Sequence, residues 1–420
     1  MSACAAGRSR RSGRSRRAAR CIEVSRSKPP RYGWLVVAAA FSLMFVGFGA
    51  AYSFAAFFRA LQEEFAASRG HVSAVFSVAA FLWFALGAPG GMLADRFGTR
   101  RVALAGVACL GAGLVAAGLA SSLTLLYVTF SIGLGVGIGL TYVPSVGAVQ
   151  PWFTHNRAFA SGIAVAGIGA GNFLVPPLAA WWIELFGWRG AFFALAALCI
   201  VLGGAAAAVV DNRPGGEPRA AAPPPAGATL GGALRSRLFW ALYGTLLLPM
   251  FGCFVPMVHL APFAADAGHP EAVGVLLVSL IGLGSLAGRF GIGTFADRVG
   301  RIAALAWMFA GLGAMLLAWW ASTSLWSLGA MAVAFGVFYG GFVATLPAVV
   351  MDLFGGRAVG GIIGCLYTAA GIGTLAGPPL AGAAFDALGN YDAPILAAAV
   401  LSFAGAAGAY ALRGARPLSA

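Results

Sequence analysis

The sequence predicts an all-α integral membrane protein. Twelve transmembrane helices are expected, arranged as two pseudo-symmetric halves of six. Three observations carry this prediction. The chain of 420 residues is 60% hydrophobic and only 10% charged, against about 25% charged in an ordinary globular domain. Twelve apolar runs are each long enough to cross roughly 30 Å of hydrocarbon at 1.5 Å per residue. Two sequence motifs recur at one fixed offset.

The runs cover 33–58, 72–94, 102–120, 123–148, 157–183 and 189–210, then 238–264, 271–294, 302–321, 325–350, 358–385 and 392–412. They are continuous rather than alternating, which selects helices over the roughly 10-residue alternating strands of a membrane β-barrel. Glycine accounts for 61 residues, about twice its usual share, and small residues let membrane helices approach closely. The longest break, residues 211–237, reads DNRPGGEPRAAAPPPAGATLGGALRSR. Its Pro, Gly and Ala cannot build a core, so it is expected to be a flexible linker. It separates an N-terminal half, 32–210, from a C-terminal half, 238–412.

The repeat supports this division. GMLADRFGTRR begins at Gly91 and GTFADRVGR at Gly293; GAGNFLVPPLA begins at Gly169 and GIGTLAGPPLA at Gly371. Both pairs are 202 residues apart. Because each unit holds an even number of helices, the two copies share one orientation, related by an axis along the membrane normal.

The net charge of +14 is unevenly placed. Residues 1–31 carry nine Arg and Lys28 against one acid, Glu23, and read as a disordered basic tail. With the N-terminus inside, 23 of the 27 basic residues fall in inner segments, and Arg59, Arg69 and Arg189 fall outside. This bias predicts that both termini, the linker and a short tail at 413–420 are cytoplasmic, in a cell (inner) membrane. The lipid bilayer is thus the first partner, and no nucleic acid is expected. The cysteines, Cys4, Cys21, Cys109, Cys199, Cys253 and Cys365, are far apart in sequence, and four lie in apolar runs. That spacing argues against a disulfide framework or a metal site, and no cofactor is expected.

One basic residue is left over. Arg289 stands inside an apolar run, eight residues before Asp297, or roughly 12 Å along a helix. A mid-membrane Arg is costly and normally faces a partner or a wet cavity. Its repeat mate is Gly87, so no copied scaffold requires the cation. Ser285, one turn earlier, adds a hydroxyl to the same face. A guanidinium grips a carboxylate bidentately, most strongly out of water. Tyr52, Tyr142, Tyr339 and Tyr367 also interrupt apolar runs, and together suit an amphipathic pocket for a small carboxylate. His259 lies on an otherwise apolar segment.

The loop motif resembles the signature of the major facilitator superfamily, complete in Gly91, Asp95, Arg96, Gly98, Arg100 and Arg101. The second copy keeps Gly293, Asp297, Arg298 and Gly300, followed by the single Arg301. The resemblance implies that Asp95, Arg96, Arg100, Arg101, Asp297, Arg298 and Arg301 close an inner gate through ion pairs and helix-end contacts. A narrower resemblance, to bacterial members of the monocarboxylate transporter family near the oxalate/formate exchangers, rests on YGWLVVAAAF, AYSFAAFFRALQEEF, HLAPFAADAG and LAGRFGIGTFADRVGR. It implies that Arg289 binds the substrate carboxylate and that His259 lines the cavity, as a hydrogen-bond partner or proton carrier. It also implies that the fourth and tenth helices, which hold Tyr142 and Tyr339, line the cavity with the first and seventh. Animal members usually carry an acid one turn before the arginine, where this chain has Ser285. Oxalate exchangers are expected to carry a lysine where CLYTAAG has Ala370, which disfavours a dianion.

The expected function is therefore secondary transport of a small monocarboxylate by alternating access, coupled to a proton, with a monomer sufficient. The competing readings are exchange of organic anions, export of another small solute, and a non-transporting membrane sensor. No clustered nucleophile, base and acid points to an enzyme.

Overall fold

The computed structural model describes residues 31–153, 157–211, 226–322 and 324–418, without the side chains of Arg157, Ala158, Gly293, Thr294 and Asp297. The basic tail before Arg31 and residues 212–225 of the expected linker lie outside the described residues.

Eleven helical runs among the described residues are long and apolar enough to cross a membrane. In the first half they are α1 (Arg31–Glu64), α2 (Arg69–Phe97), α3 (Thr99–Gly118), α4 (Leu123–Trp152) and a 51-residue run, Phe159–Val209. At about 1.5 Å per residue that run is more than twice the bilayer core. It breaks at Gly187, where φ is +68° and ψ 171°. Glycine tolerates this backbone because it has no Cβ. The run is thus two spans, α5 (157–186) and α6 (188–209), and twelve crossings result. The second half has α7 (Arg237–Asp266), α8 (Glu271–Val299), α9 (Arg301–Trp320), α10 (Leu325–Phe354), α11 (Val359–Leu388) and α12 (Asp392–Ala411).

The repeat holds at the level of helix ends. α2 begins and ends at 69 and 97, α8 at 271 and 299. α4 spans 123–152, and α10 spans 325–354. The caps repeat too. Ser122 Oγ accepts from Leu125 N at 3.2 Å, and Ser324 Oγ from Ser327 N at 3.2 Å, each satisfying a donor that the first helical turn leaves free. At the opposite ends of α2 and α8, Gly98 and Gly300 take φ of +88° and +89°. This is why the loop motif needs its second glycine. Some helices, α1, α2 and α8 among them, run several residues past the predicted apolar spans through polar residues at their ends.

Part of the expected linker is structured. Thr229 caps a short helix, Leu230–Leu234, by accepting from Gly232 N at 3.0 Å. Just before it, Ala228 N donates to Phe354 O at 2.8 Å, and Gly356 N donates to Ala226 O at 3.1 Å. Residues 226–236 are therefore docked on the end of α10, with backbone groups paired that a bare linker would leave to water.

The two halves meet along α2 with α11 and α5 with α8. Both seams are made by small residues. A Cβ at Gly382 would lie 2.6 Å from Gly70 N, and one at Gly282 would lie 2.5 Å from Phe173 N. Only glycine allows these backbones to approach so closely. The face bearing the Gly98 and Gly300 turns is called the motif face below, and the opposite face the far face.

Candidate substrate site

Between the halves lies a cavity of about 650 Å³. It is walled by α2, α4 and α5 on one side and by α8, α10 and α11 on the other. It extends to the motif face, where Gln150 and Arg301 line it. Deeper in stand Arg289 from α8, Tyr142 from α4, Tyr367 from α11 and Trp83 from α2.

Among the described residues, the Arg289 side chain has one intramolecular hydrogen bond, from Nε to Ser285 Oγ at 3.3 Å. Ser285 is 1% exposed and lies one turn earlier on the same helix. Both terminal guanidinium nitrogens are buried without a partner among the described residues. Unpaired buried donors are rare because each costs about 1–3 kcal/mol, and more when charged. The serine fixes the base of the guanidinium and leaves its two-pronged end free for a planar anion.

Tyr52 and Tyr339 do not line the cavity but meet nearer the far face. Their hydroxyls lie 2.9 Å apart, joining α1 to α10 across the halves. Both side chains are buried. His259 does not line the cavity either, contrary to the expectation drawn from resemblance. It is 0% exposed, with Nδ1 at 3.0 Å from the Tyr391 hydroxyl and Nε2 at 2.8 Å from the Pro378 carbonyl. Both ring nitrogens are satisfied within the closed far face, so none is left for a ligand in this conformation.

The far face is shut by charges. Arg69, at the start of α2, grips Asp266 at the end of α7 with two contacts of 2.6 Å. It also donates to the Tyr391 hydroxyl at 2.9 Å, and its guanidinium lies 3.8 Å from the centre of the Phe385 ring. The backbone N–H groups of Arg69 and Gly70 donate to the Asp386 carboxylate at 3.1 and 3.0 Å. Arg59 of α1 reaches Glu271 of α8 at 3.1 Å, and Arg189 pairs with Glu64 at 2.8 Å. All three basic residues that the sequence assigns to the outside thus form ion pairs.

The motif face differs. Asp95, Arg96, Arg100, Arg101 and Arg298 are exposed, and among the described residues they form no ion pair. The Asp297 side chain lies outside the described residues. Arg301 pairs within its own half, with Asp352 at 2.6 Å. Of the ion pairs expected at this gate, Arg301–Asp352 is the one made among the described residues.

The profile of the Major Facilitator Superfamily matches residues 38–333 and 256–419. The chain belongs to that superfamily. Monocarboxylate transporter 3 of Mus musculus is 35% identical over 372 residues, covering 86% of this chain and 75% of that protein. Monocarboxylate transporter 13 of Bos taurus is 30% identical over 385 residues, covering 90% and 89%. A crystal structure of a bacterial homolog to the human lysosomal transporter Spinster, in an inward-facing and unoccupied conformation, superimposes with a TM-score of 0.72. It is 17% identical and covers 91% of this chain and 97% of its own, so it supports the fold alone. This member of the superfamily is a multi-pass membrane transporter of a small solute.

Sequence reasoning singled out four of the cavity residues: Arg289, Tyr142 and Tyr367 as binding residues and Arg301 as a gate residue. It passed over Trp83 and noted Gly87 only as the repeat mate of Arg289, although both also line the wall. A signal for both was available: they are the repeat mates of Ser285 and Arg289, at the 202-residue offset.

Proposed function

We propose that this transporter carries a small monocarboxylate across the membrane by alternating access, coupled to a proton, with Arg289 as the anion anchor. The observation that supports the reading is the pair of buried nitrogens of Arg289, unpartnered among the described residues, at the wall of a cavity that extends to the motif face. The monocarboxylate transporters among its relatives support the substrate class. Tyr142 and Tyr367 supply hydroxyls beside an otherwise largely apolar wall, which fits an anion with a short carbon chain. Ser285 orients the guanidinium. Tyr52, Tyr339 and His259 act at the closing far face rather than on the ligand in this state. The gate on the motif face is the work of Asp95, Arg96, Arg100, Arg101, Asp297, Arg298 and Arg301 when the cavity closes there. The surplus of basic residues in the segments on the motif face makes that face cytoplasmic, in the cell membrane, and a single chain contains the whole cavity.

One observation favours a second reading, exchange of organic anions. Among the described residues lining the cavity there is Arg289 and Arg301 but no carboxylate and no histidine. An empty carrier would then have to occlude a bare guanidinium, which is costly out of water, whereas a loaded one occludes a neutral pair. Exchange always returns loaded.

Uptake into proteoliposomes separates the two. Proton coupling requires that an inward pH gradient drive monocarboxylate accumulation without internal anion. Uptake that ignores pH and needs an internal counter-anion selects exchange. Uptake of no carboxylate under either condition refutes both.

A further inference from the structure

Trp83 and Gly87 on α2 occupy the positions that Ser285 and Arg289 occupy on α8. The axis relating the halves therefore sets an indole and a glycine across the cavity from the guanidinium and its supporting serine. Trp83 is 2% exposed. Its ring is held by edge contacts to Phe48, at 5.8 Å and 66°, and to Phe76, at 5.7 Å and 80°. Phe48 in turn meets Tyr142 at 5.5 Å, and Phe84, next to Trp83, meets Tyr367 at 5.8 Å. The indole is thus fixed in the same aromatic wall that carries the two cavity tyrosines. Gly87, one turn on, packs against Val143, whose Cγ2 would lie 3.2 Å from an added Cβ.

Among the described residues, the indole Nε1–H has no hydrogen-bond partner, and it is buried. Two comparisons give this weight. Trp319 Nε1 is also unpartnered, but Trp319 is packed against Phe263 at 5.4 Å and lines no part of the cavity. Ser161 Oγ is unpartnered and lines the cavity; a serine hydroxyl, however, can rotate to a helical carbonyl one turn back. An indole nitrogen can only donate, and only along one direction fixed by its ring. Among the described residues, Trp83 combines a rigid, unmet donor with a place in the cavity wall.

We propose that Trp83 is a specificity-determining residue, donating its indole N–H to a second oxygen of the substrate while Arg289 holds the carboxylate. The inference rests on the carboxylate reading above. It narrows the ligand to a monocarboxylate bearing a hydroxyl or carbonyl oxygen elsewhere on its short chain. It also gives one ligand a hold on both halves, the guanidinium from the second and the indole from the first. A site built to bond such an oxygen discriminates against the analogue that lacks it, because the donor is then left unmet.

The test is calorimetric binding of propanoate, 2-hydroxypropanoate and 3-hydroxypropanoate to the purified full chain and to its Trp83→Phe variant. The wild-type protein is expected to bind at least one hydroxy acid about tenfold more tightly than propanoate, as one good hydrogen bond provides. The position of the favoured hydroxyl reports the spacing of the two anchors. Trp83→Phe keeps an aromatic ring and removes the donor, so it should lose the preference and bind the hydroxy acids no more tightly than propanoate. A wild-type protein that binds propanoate equally well overturns the inference and leaves the carboxylate reading intact. So does a variant that keeps the preference, or one that weakens all three acids equally. Binding of none of the three by the wild-type protein overturns the carboxylate reading and the inference with it.

Discussion

The hydroxyls of Tyr52 and Tyr339, 287 residues apart in sequence, lie 2.9 Å from each other and join the two halves on the far-face side of the cavity. The bond belongs to the closed far face. Removing either hydroxyl leaves its mate buried and unmet. Tyr52→Phe and Tyr339→Phe should therefore each cost about 1 kcal/mol, and the double variant should cost no more than the worse single. A double-mutant cycle on thermal unfolding reads the coupling directly. Costs that simply add would show that the two hydroxyls do not work through each other.

The Arg69–Asp266 pair makes a second expectation. Arg69 has 11% of its side chain exposed and Asp266 40%, with two contacts of 2.6 Å. Bidentate, partly buried pairs are stronger than surface ones. Asp266→Asn should open the far face more often. Ser73 is fully buried behind this pair, with its Oγ 3.3 Å from the Pro378 carbonyl. In a cysteine-free background, a Ser73→Cys reporter should react with a polar thiol reagent about tenfold faster in the Asp266→Asn protein, as a loss of roughly 1.4 kcal/mol would give. An unchanged labelling rate would remove the pair from the gate.

Gly282 sits where α8 crosses α5 between the halves. A Cβ there falls 2.5 Å from Phe173 N and 2.7 Å from the Asn172 carbonyl carbon. Backbone cannot yield as a side chain can, so Gly282→Ala should cost about 1–3 kcal/mol and slow transport by disturbing the seam on which the halves move. Gly244, with nothing within 4 Å of its added Cβ, is the control, and Gly244→Ala should be neutral or slightly stabilising. Thermal unfolding and initial uptake rates on both variants check this. Equal behaviour of the two would mean the seam is not tight.

Much of the fold was legible because its signals are local or periodic. Apolar run length marks the spans, and a repeat offset survives any packing detail; Ser122 and Ser324 then cap equivalent helices, and Gly98 and Gly300 end equivalent ones. Arg289 was legible because a lone cation in an apolar run has few bland explanations. Contacts between the halves were not. Nothing near Tyr52 indicates Tyr339, and nothing near His259 indicates that Tyr391 and Pro378 satisfy both its nitrogens. Arg69 reads in sequence as one loop charge among three, yet it touches Asp266, Tyr391, Phe385 and, through its backbone, Asp386. Such roles depend on which faces meet, and periodicity reports only that a face exists.

The central claim is that the free end of Arg289 holds the substrate carboxylate. The most direct measurement is ligand-induced stabilisation of the purified protein by a monocarboxylate, compared with Arg289→Ala and Arg289→Lys. A ligand at 100 times its Kd stabilises the folded state by about 2.7 kcal/mol. The wild-type protein should show a shift of that order at saturation. Arg289→Ala should show only about 0.4 kcal/mol at the same concentration, since two charge-assisted bonds are worth roughly 100-fold in affinity. Arg289→Lys should fall between, having the charge without the fork. An Arg289→Ala protein stabilised as strongly as wild type by the same carboxylate would contradict the account.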